Sequence, residues 1–189
     1  MTQLPSNFEL DRYGLHCRLV TENDAEFIVS LRTDPIKSKF LSTTSNDIEA
    51  QQSWIKNYKE REVNGKDYYF MYEYNGKKAG VNRLYEIEGN HFIHGSWLFA
   101  NDVPPYCALA AAVIAREIAY DILGLDIEID TAGIHKDNVD VLQFARYMGC
   151  IFDGSVIRHG EEFLTSYLTK KMFENSKSKI LKLFPKKVM

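Results

Sequence analysis

Near the middle of the chain, three short β-type segments give way at once to a long apolar helix, an order that few folds accommodate. Tyr68 to Tyr74 and Ala79 to Ile87 have strand composition and are joined by Asn75-Gly76, whose tolerance of left-handed backbone suits a two-residue hairpin. A second turn at Glu88-Gly89-Asn90 leads to a third strand, His91 to Phe99. These three form an antiparallel meander. After Pro104-Pro105, the segment from Tyr106 to Leu123 is apolar and alanine-rich over about five turns and stops at Gly124.

The flanks complete the pattern. Leu15 to Val20 alternates as a first strand, and Thr21-Glu22-Asn23-Asp24 starts a helix that Pro35 ends or bends. Thr43-Thr44-Ser45-Asn46-Asp47 caps a second helix, from about Ile48 to Glu62, with Gln51, Trp54, Ile55 and Tyr58 at helical spacing. Beyond the long helix, Ile127, Ile129 and Ile134 mark a strand region ending at His135. Asp137 or Asn138 caps a short helix closed by Gly149, and a last hairpin runs from Ile151 through His159-Gly160 to Thr169. The expected class is α+β, or mixed α/β, with a mostly antiparallel sheet of about seven strands flanked by helices. One domain over 1–175 and a basic, amphipathic tail over 176–189 are the expected divisions.

Composition narrows the function. With 189 residues, 23 Lys+Arg and 26 Asp+Glu, the formal charge is −3, which argues against a dedicated nucleic-acid binder. A chain of this length buries about 70% of its unfolded surface without staples. Cys17, Cys107 and Cys150 are odd in number and far apart, with no paired metal-ligand spacing, so neither a disulfide framework nor a metal is expected. The N-terminus has no basic segment followed by an apolar run, and the longest apolar run is far shorter than the roughly 20 residues that span a bilayer. A cytoplasmic protein is the expectation.

The order of elements over residues 13–170 resembles the GNAT family of acetyl-CoA-dependent N-acetyltransferases. Gly95-Ser96-Trp97-Leu98 is similar to the end of that family's fourth strand, Leu123-Gly124-Leu125 to the end of its long helix, and Asn138 to Gly149 to its Asn-to-Gly spacing. Shorter likenesses point to members that acetylate amino groups on nucleotide-linked sugars: Leu31-Arg32-Thr33-Asp34, Gln51-Gln52-Ser53-Trp54-Ile55, Tyr68-Tyr69-Phe70 and Arg83-Leu84-Tyr85. The spacing from strand four to the helix also resembles ribosomal-protein acetyltransferases. The resemblance implies acetyl-CoA as cosubstrate and a small-molecule amine as acceptor; the sequence leaves the oligomeric state open, a homodimer being one option.

The chain departs from the family in the pyrophosphate loop. Where the family carries Gly-x-Gly, this chain has Pro104-Pro105-Tyr106. Proline has no N–H to offer a phosphate, and the Tyr106 side chain is expected to crowd the cofactor. The amides of Tyr106, Cys107, Ala108 and Leu109, at the positive end of the helix, are left to bind the anion. This departure keeps a third reading open, a GNAT-fold binding protein that has lost catalysis.

Acetyl transfer needs a neutral amine, donors for the tetrahedral oxygen and a proton for the departing thiolate. The resemblance assigns the donors to the backbone of Trp97, Leu98 and Phe99, with Gly95 permitting a bulge. It also brings Asn138 and Phe144 toward the cofactor arm, though an asparagine there also serves as a helix cap. His94 heads the candidate bases, ahead of His91 and His135, because imidazole titrates near neutral pH; Glu86 and Asp130 could act through water. The family's acid is a tyrosine at the position of Ala145. Tyr147 lies two residues on, about 200° around the helix, and is kept as a weaker candidate. Arg32, Arg83, Trp54 and Tyr85 are assigned to the acceptor, since arginine forks suit a diphosphate and an indole suits a sugar or base. For Trp54 the helical spacing favours a core position instead. The tail residues Ile180, Leu181, Leu183, Phe184 and Val188, set among lysines, could meet an anionic membrane surface or form a frayed helix.

Overall fold

The structure is a computed structural model that describes residues 2–41 and 44–189. Thr43 of the expected cap cluster lies outside the described residues. Eight strands form one sheet in the order β1-β2-β3-β4-β5-β6-β8-β7. They are β1 Glu9–Arg12, β2 Leu15–Leu19, β3 Tyr68–Tyr74, β4 Lys77–Glu88, β5 His91–Phe99, β6 Ile127–His135, β7 Ile151–Arg158 and β8 Glu161–Thr169. The strand beyond the expected seven is β1, a polar edge strand that pairs with β2 around Tyr13-Gly14. Only its Leu10 packs against the core, so it leaves no alternation to read.

Helices α1 (Ala25–Thr33) and α2 (Ile48–Val63) pack on one face of the sheet, and α3 (Tyr106–Glu117) and α5 (Lys170–Leu181) on the other, with α4 (Val139–Met148) beside α5. Strand β3 shows how the sequence serves both layers. Tyr68, Phe70 and Tyr72 join the α3 side, whereas Tyr69 and Met71 join the α1–α2 side, so all five are buried. Asp47 caps α2 by accepting from the Ala50 amide at 2.9 Å.

The alanines of α3 let it lie close on the sheet. Asn82, fully buried on β4, donates to the Ala111 carbonyl at 3.0 Å and accepts from the Tyr72 hydroxyl at 3.0 Å. The helix is α only to Glu117. Its last turn, Ile118–Ile122, is a π turn in which the Leu123 amide reaches Ile118 at 2.9 Å, so the single helix expected through Leu123 changes form.

The C-terminal residues are folded onto the core. A boundary at 175 falls inside α5, whose Phe173, Ser176 and Ile180 are buried at helical spacing. Beyond it, Phe184 packs edge-on against Tyr13 at 5.3 Å and near Tyr106 at 6.0 Å. Ile180 and Phe184, which the sequence could have turned toward a lipid surface, therefore face the protein. Glu117, 2% exposed, draws this end inward through Lys177, Arg12 at 3.0 Å and the Tyr13 hydroxyl at 2.8 Å.

Candidate active site

Strands β5 and β6 are parallel neighbours only at their start, where His91 pairs with Ile127 and Phe92 with Glu128. Beyond those pairs no ladder joins them, so the strands part and the edge of β5 faces a gap. The gap is a cleft of about 720 Å³, with His94 to Phe99 on one side, Glu128 to His135 on the other, and α4 at its rim. Its narrow end is the β5–β6 pairing. Its wide mouth lies toward the end of β5.

The sheet is deformed beside the gap. Val81 pairs with Leu98 and Arg83 with Gly95, so Asn82 stands opposite both Ser96 and Trp97, a bulge in β5 with Ser96 at φ +50°. Gly95 supplies space rather than the turn itself. A Cβ on Gly95 would lie 2.9 Å from the Tyr85 ring, which crosses the strand there. The Trp97 indole donates to the Ala108 carbonyl at 3.0 Å and packs 4.8 Å from Phe144, tying β5 to α3 and α4.

At the narrow end the cleft is polar and deeply buried. Arg116 of α3, 5% exposed, donates to Glu128 at 2.8 Å and to the Ala112 carbonyl at 3.0 Å. Burial pushes the Glu128 carboxyl above its usual range against the pull of Arg116. His94 lies in the same region, and burial, then Arg116, hold its imidazole well below its ordinary value. The titration near neutrality expected of His94 is therefore displaced to lower pH, because an imidazolium would be enclosed beside a guanidinium. His135 lines the far wall of the cleft, wedged between Phe40 at 4.9 Å and Phe163 at 5.1 Å, with Glu161 at 3.2 Å.

A second cavity, about 500 Å³, opens between α2 and the sheet. It brings together all four residues assigned to the acceptor, Arg32, Trp54, Arg83 and Tyr85, with Gln51 and Tyr69. Arg32, Tyr85 and Ser96 line both cavities, so the two meet at the β5 bulge. Trp54 is 36% exposed, not core; its ring stacks on Tyr58 at 5.6 Å and stands edge-on to Tyr69. Arg83 lies 5.1 Å from the Trp54 ring and 4.9 Å from Tyr85, and its fork closes on the buried Asp67, which Arg61 also contacts at 3.0 Å. The Arg83 fork is thus engaged within the protein, whereas the sequence had offered it to a diphosphate. Arg32 donates to the Thr44 hydroxyl at 2.6 Å. Burial, then Asp130, push the Tyr85 phenol up to about 12.

The start of α3 differs from expectation. Tyr106 turns inward, against Tyr74 at 6.2 Å and Phe184, and does not crowd the cleft. The Cys107 amide, expected to be open to an anion, donates to the Pro104 carbonyl at 2.9 Å. Tyr106, Cys107, Ala108 and Leu109 lie outside the cleft lining. On α4, Asn138, Val141, Phe144 and Ala145 face the cleft at helical spacing, and the Asn138 side chain makes no capping bond. Tyr147 lies outside the cleft lining and donates to the Lys179 carbonyl of α5 at 3.2 Å, so it is not brought together with the other candidates. The sequence reading missed the segment after α1, where Lys37, Lys39, Phe40 and Leu41 overlie the cleft, because it carries no periodic signal. It also missed Arg116 and Glu128, although an arginine inside an otherwise apolar helix was a visible sign.

No protein-family model matches the chain, and no curated protein matches it in sequence. Solved structures do. Apo FdhC, described as a nucleotide-linked sugar GNAT, is 30% identical with a TM-score of 0.81, over 95% of this chain and 99% of that one. The Vibrio fischeri ribosomal-protein-S5-alanine acetyltransferase is 12% identical with a TM-score of 0.73, over 86% and 97% of the two chains. Mycobacterium smegmatis RimJ in complex with CoA-disulfide is 13% identical with a TM-score of 0.75, over 95% and 90%. These two share the fold. With the FdhC identity running over nearly the full length of both chains and the sheet parting between β5 and β6, the chain belongs to the GNAT family of acetyl-CoA-dependent N-acetyltransferases.

Proposed function

We propose that this protein transfers the acetyl group of acetyl-CoA to the primary amine of a nucleotide-linked amino sugar. The observation that carries the reading is the aromatic and cationic cavity beside α2, which opens on the cleft through Arg32, Tyr85 and Ser96. Its size lies within the usual range for small-molecule sites. Trp54 and Tyr69 offer faces and edges to a sugar or base, and Arg32 offers charge to a diphosphate. Similarity to FdhC supports the same acceptor class.

In the reaction, the amine lone pair attacks the thioester carbonyl carbon, and those backbone amides of the Trp97–Phe99 stretch that alternate toward the gap meet the oxyanion. The C–S bond then breaks, and the proton lost by nitrogen balances the thiolate. Asp130 suits the proton acceptor better than His94. It lies across the cleft, its carboxyl is raised by burial, and it accepts from the Gly133 amide at 2.8 Å, whereas His94 sits beside Arg116. Asn138 and Phe144 are the groups of α4 that would meet the cofactor arm.

Free-thiol release from acetyl-CoA across nucleotide-linked amino sugars, polyamines and peptides tests the reading. Turnover with the sugars alone is expected, and turnover confined to peptides or polyamines would overturn it. A binding protein without catalysis is favoured by one observation, the engaged Cys107 amide behind Pro104-Pro105. Coenzyme A at millimolar concentration should raise the thermal midpoint if the donor site is intact. No shift would favour the binding protein.

A further inference from the structure

Tyr85 stands at the seam of the two cavities, and the chemistry above gives it no task. It lines both the acceptor cavity and the donor cleft. Arg83 lies 4.9 Å from its ring, and no hydrogen bond from a described residue reaches its hydroxyl. The backbone is bent to put it there. Tyr85 pairs with Ile93 on β5, yet its ring leans diagonally over Gly95, where a Cβ would lie 2.9 Å from the ring and 3.1 Å from the hydroxyl oxygen. Glu86, the next residue on β4, is left-handed at φ +50°, and the β4–β5 register breaks between Tyr85 and Glu88. Ser96, the residue after Gly95, is left-handed as well. Non-glycine residues seldom take this conformation, and here two of them adjoin a single contact between strands.

Position decides what the hydroxyl meets. The amine enters from the acceptor cavity through this seam, and the thioester lies along the gap beside Trp97 to Phe99. The C–N bond therefore forms, and the C–S bond breaks, next to Tyr85. The departing sulfur needs a proton that the other candidates do not supply: Ala145 carries none, Tyr147 lies outside the cleft lining, and His94 Nε2 is enclosed by protein. Burial, then Asp130 and Glu86, push the Tyr85 phenol up to about 12 against the pull of Arg83 and Arg158, so it stays a donor at neutral pH.

We infer that Tyr85 is the catalytic acid of the transfer, giving its phenolic proton to the coenzyme A sulfur as the C–S bond breaks. This rests on the acyl-transfer reading above and adds the proton donor that the reaction there lacks. A phenol is a weaker acid than a thiol, so Asp130, whose carboxyl is a stronger acid than either, completes the step. The attacking nitrogen loses a proton to the Asp130 carboxylate, the C–S electron pair stays on sulfur, and sulfur takes the Tyr85 proton. The phenolate then regains a proton from Asp130 by way of water in the cleft. One N–H proton thus ends on the thiol, and both side chains return to their starting states. The acid comes from β4, reaching over a glycine of β5, and not from α4, where Ala145 stands.

Single-turnover transfer from acetyl-CoA, to whichever amine of the panel above is used by the unmodified chain, tests the assignment. Tyr85→Phe keeps the ring and removes the proton, and should slow the chemical step about 100-fold with acetyl-CoA affinity and the thermal midpoint unchanged. A ring with a merely structural role would leave the pH profile alone. Tyr85→3,5-difluorotyrosine makes the phenol a stronger acid, so its transfer rate should fall at alkaline pH as that phenol ionises, in a range where the unmodified chain keeps its rate. Full-rate transfer by Tyr85→Phe, a loss confined to amine affinity, or a difluorotyrosine profile that superimposes on the unmodified one would overturn the assignment while leaving acyl transfer standing. Transfer by the unmodified chain to no amine at all would overturn both.

Discussion

The two cavities that meet at the β5 bulge are built on opposite terms. On the acceptor side, Arg83 and Arg61 converge on Asp67, so a dense set of charges is paired before any ligand arrives. On the donor side, Arg116 and Glu128 meet through one bond and each keeps a further polar atom unmet. The first arrangement sets a shape; the second leaves enclosed polar atoms without partners at the floor of the cleft. Substitutions on the acceptor side should therefore show in stability as well as acceptor use, whereas those at the donor floor should show in the pH dependence of stability and in donor affinity.

The largest effect is expected at Asp67, which is 1% exposed and holds two arginines. Asp67→Ala leaves those cations without their carboxylate and should cost ~3–5 kcal/mol in urea unfolding. It should also lower kcat/KM for the acceptor roughly 100-fold, through misplacement of Arg83 and Tyr85, with donor affinity unchanged. A parallel loss of donor affinity would break the distinction between the cavities.

Next comes the pH dependence at the donor floor. Because the folded His94 imidazole is held below its unfolded value by burial and then by Arg116, acid favours the unfolded chain, which takes up a proton that the folded chain refuses. Stability should fall as pH drops below about 6.5, by at most about 1.4 kcal/mol per pH unit from this group. His94→Leu should remove that part of the slope between pH 5 and 6.5. The activity profile between pH 6 and 8 should show no limb from His94, and a limb abolished by the same substitution would restore it as the base.

Smaller effects sharpen the boundary between the cavities. Gly95→Ala places a Cβ 2.9 Å from the Tyr85 ring, so the ring must yield toward the seam. About a 10-fold fall in acceptor kcat/KM, equivalent to about 1.4 kcal/mol, is expected with little change in donor binding. Trp97→Phe removes the hydrogen bond to the Ala108 carbonyl but keeps the contact with Phe144. Stability should drop by ~1 kcal/mol, and donor binding should weaken before acceptor binding does.

How legible each part was depends on whether a residue's role is local. The β3–β4 hairpin at Asn75-Gly76, the strand His91–Phe99 and the start and end of α4 lie where turn chemistry and periodicity place them. Arg32, Trp54, Arg83 and Tyr85, chosen from scattered short likenesses, stand around one cavity. Tyr147 could be placed on its helix but not against a neighbour, and the neighbour proved to be α5. For Trp54, helical spacing was misleading because α2 runs along the open side of the acceptor cavity and leaves that position half outside. Tyr106 was judged by its place in a loop, whereas a pocket formed by Tyr74 and Phe184 drew it into the core.

Alternation, turn residues and helix stops act over a few positions, so the linear order of residues alone determined seven of the strands, the main helices, their sequence and the antiparallel meander, but not β1 or the π turn that ends α3. Where β5 leaves β6, which charges enclose one another, and which polar atoms are left without partners depend on groups brought together from far along the chain. His94, Arg116 and Glu128 are neighbours only because α3 lies across the sheet at the point where the strands part. Tertiary packing therefore decided the site, since desolvation and hydrogen bonding are properties of an enclosure rather than of any one residue.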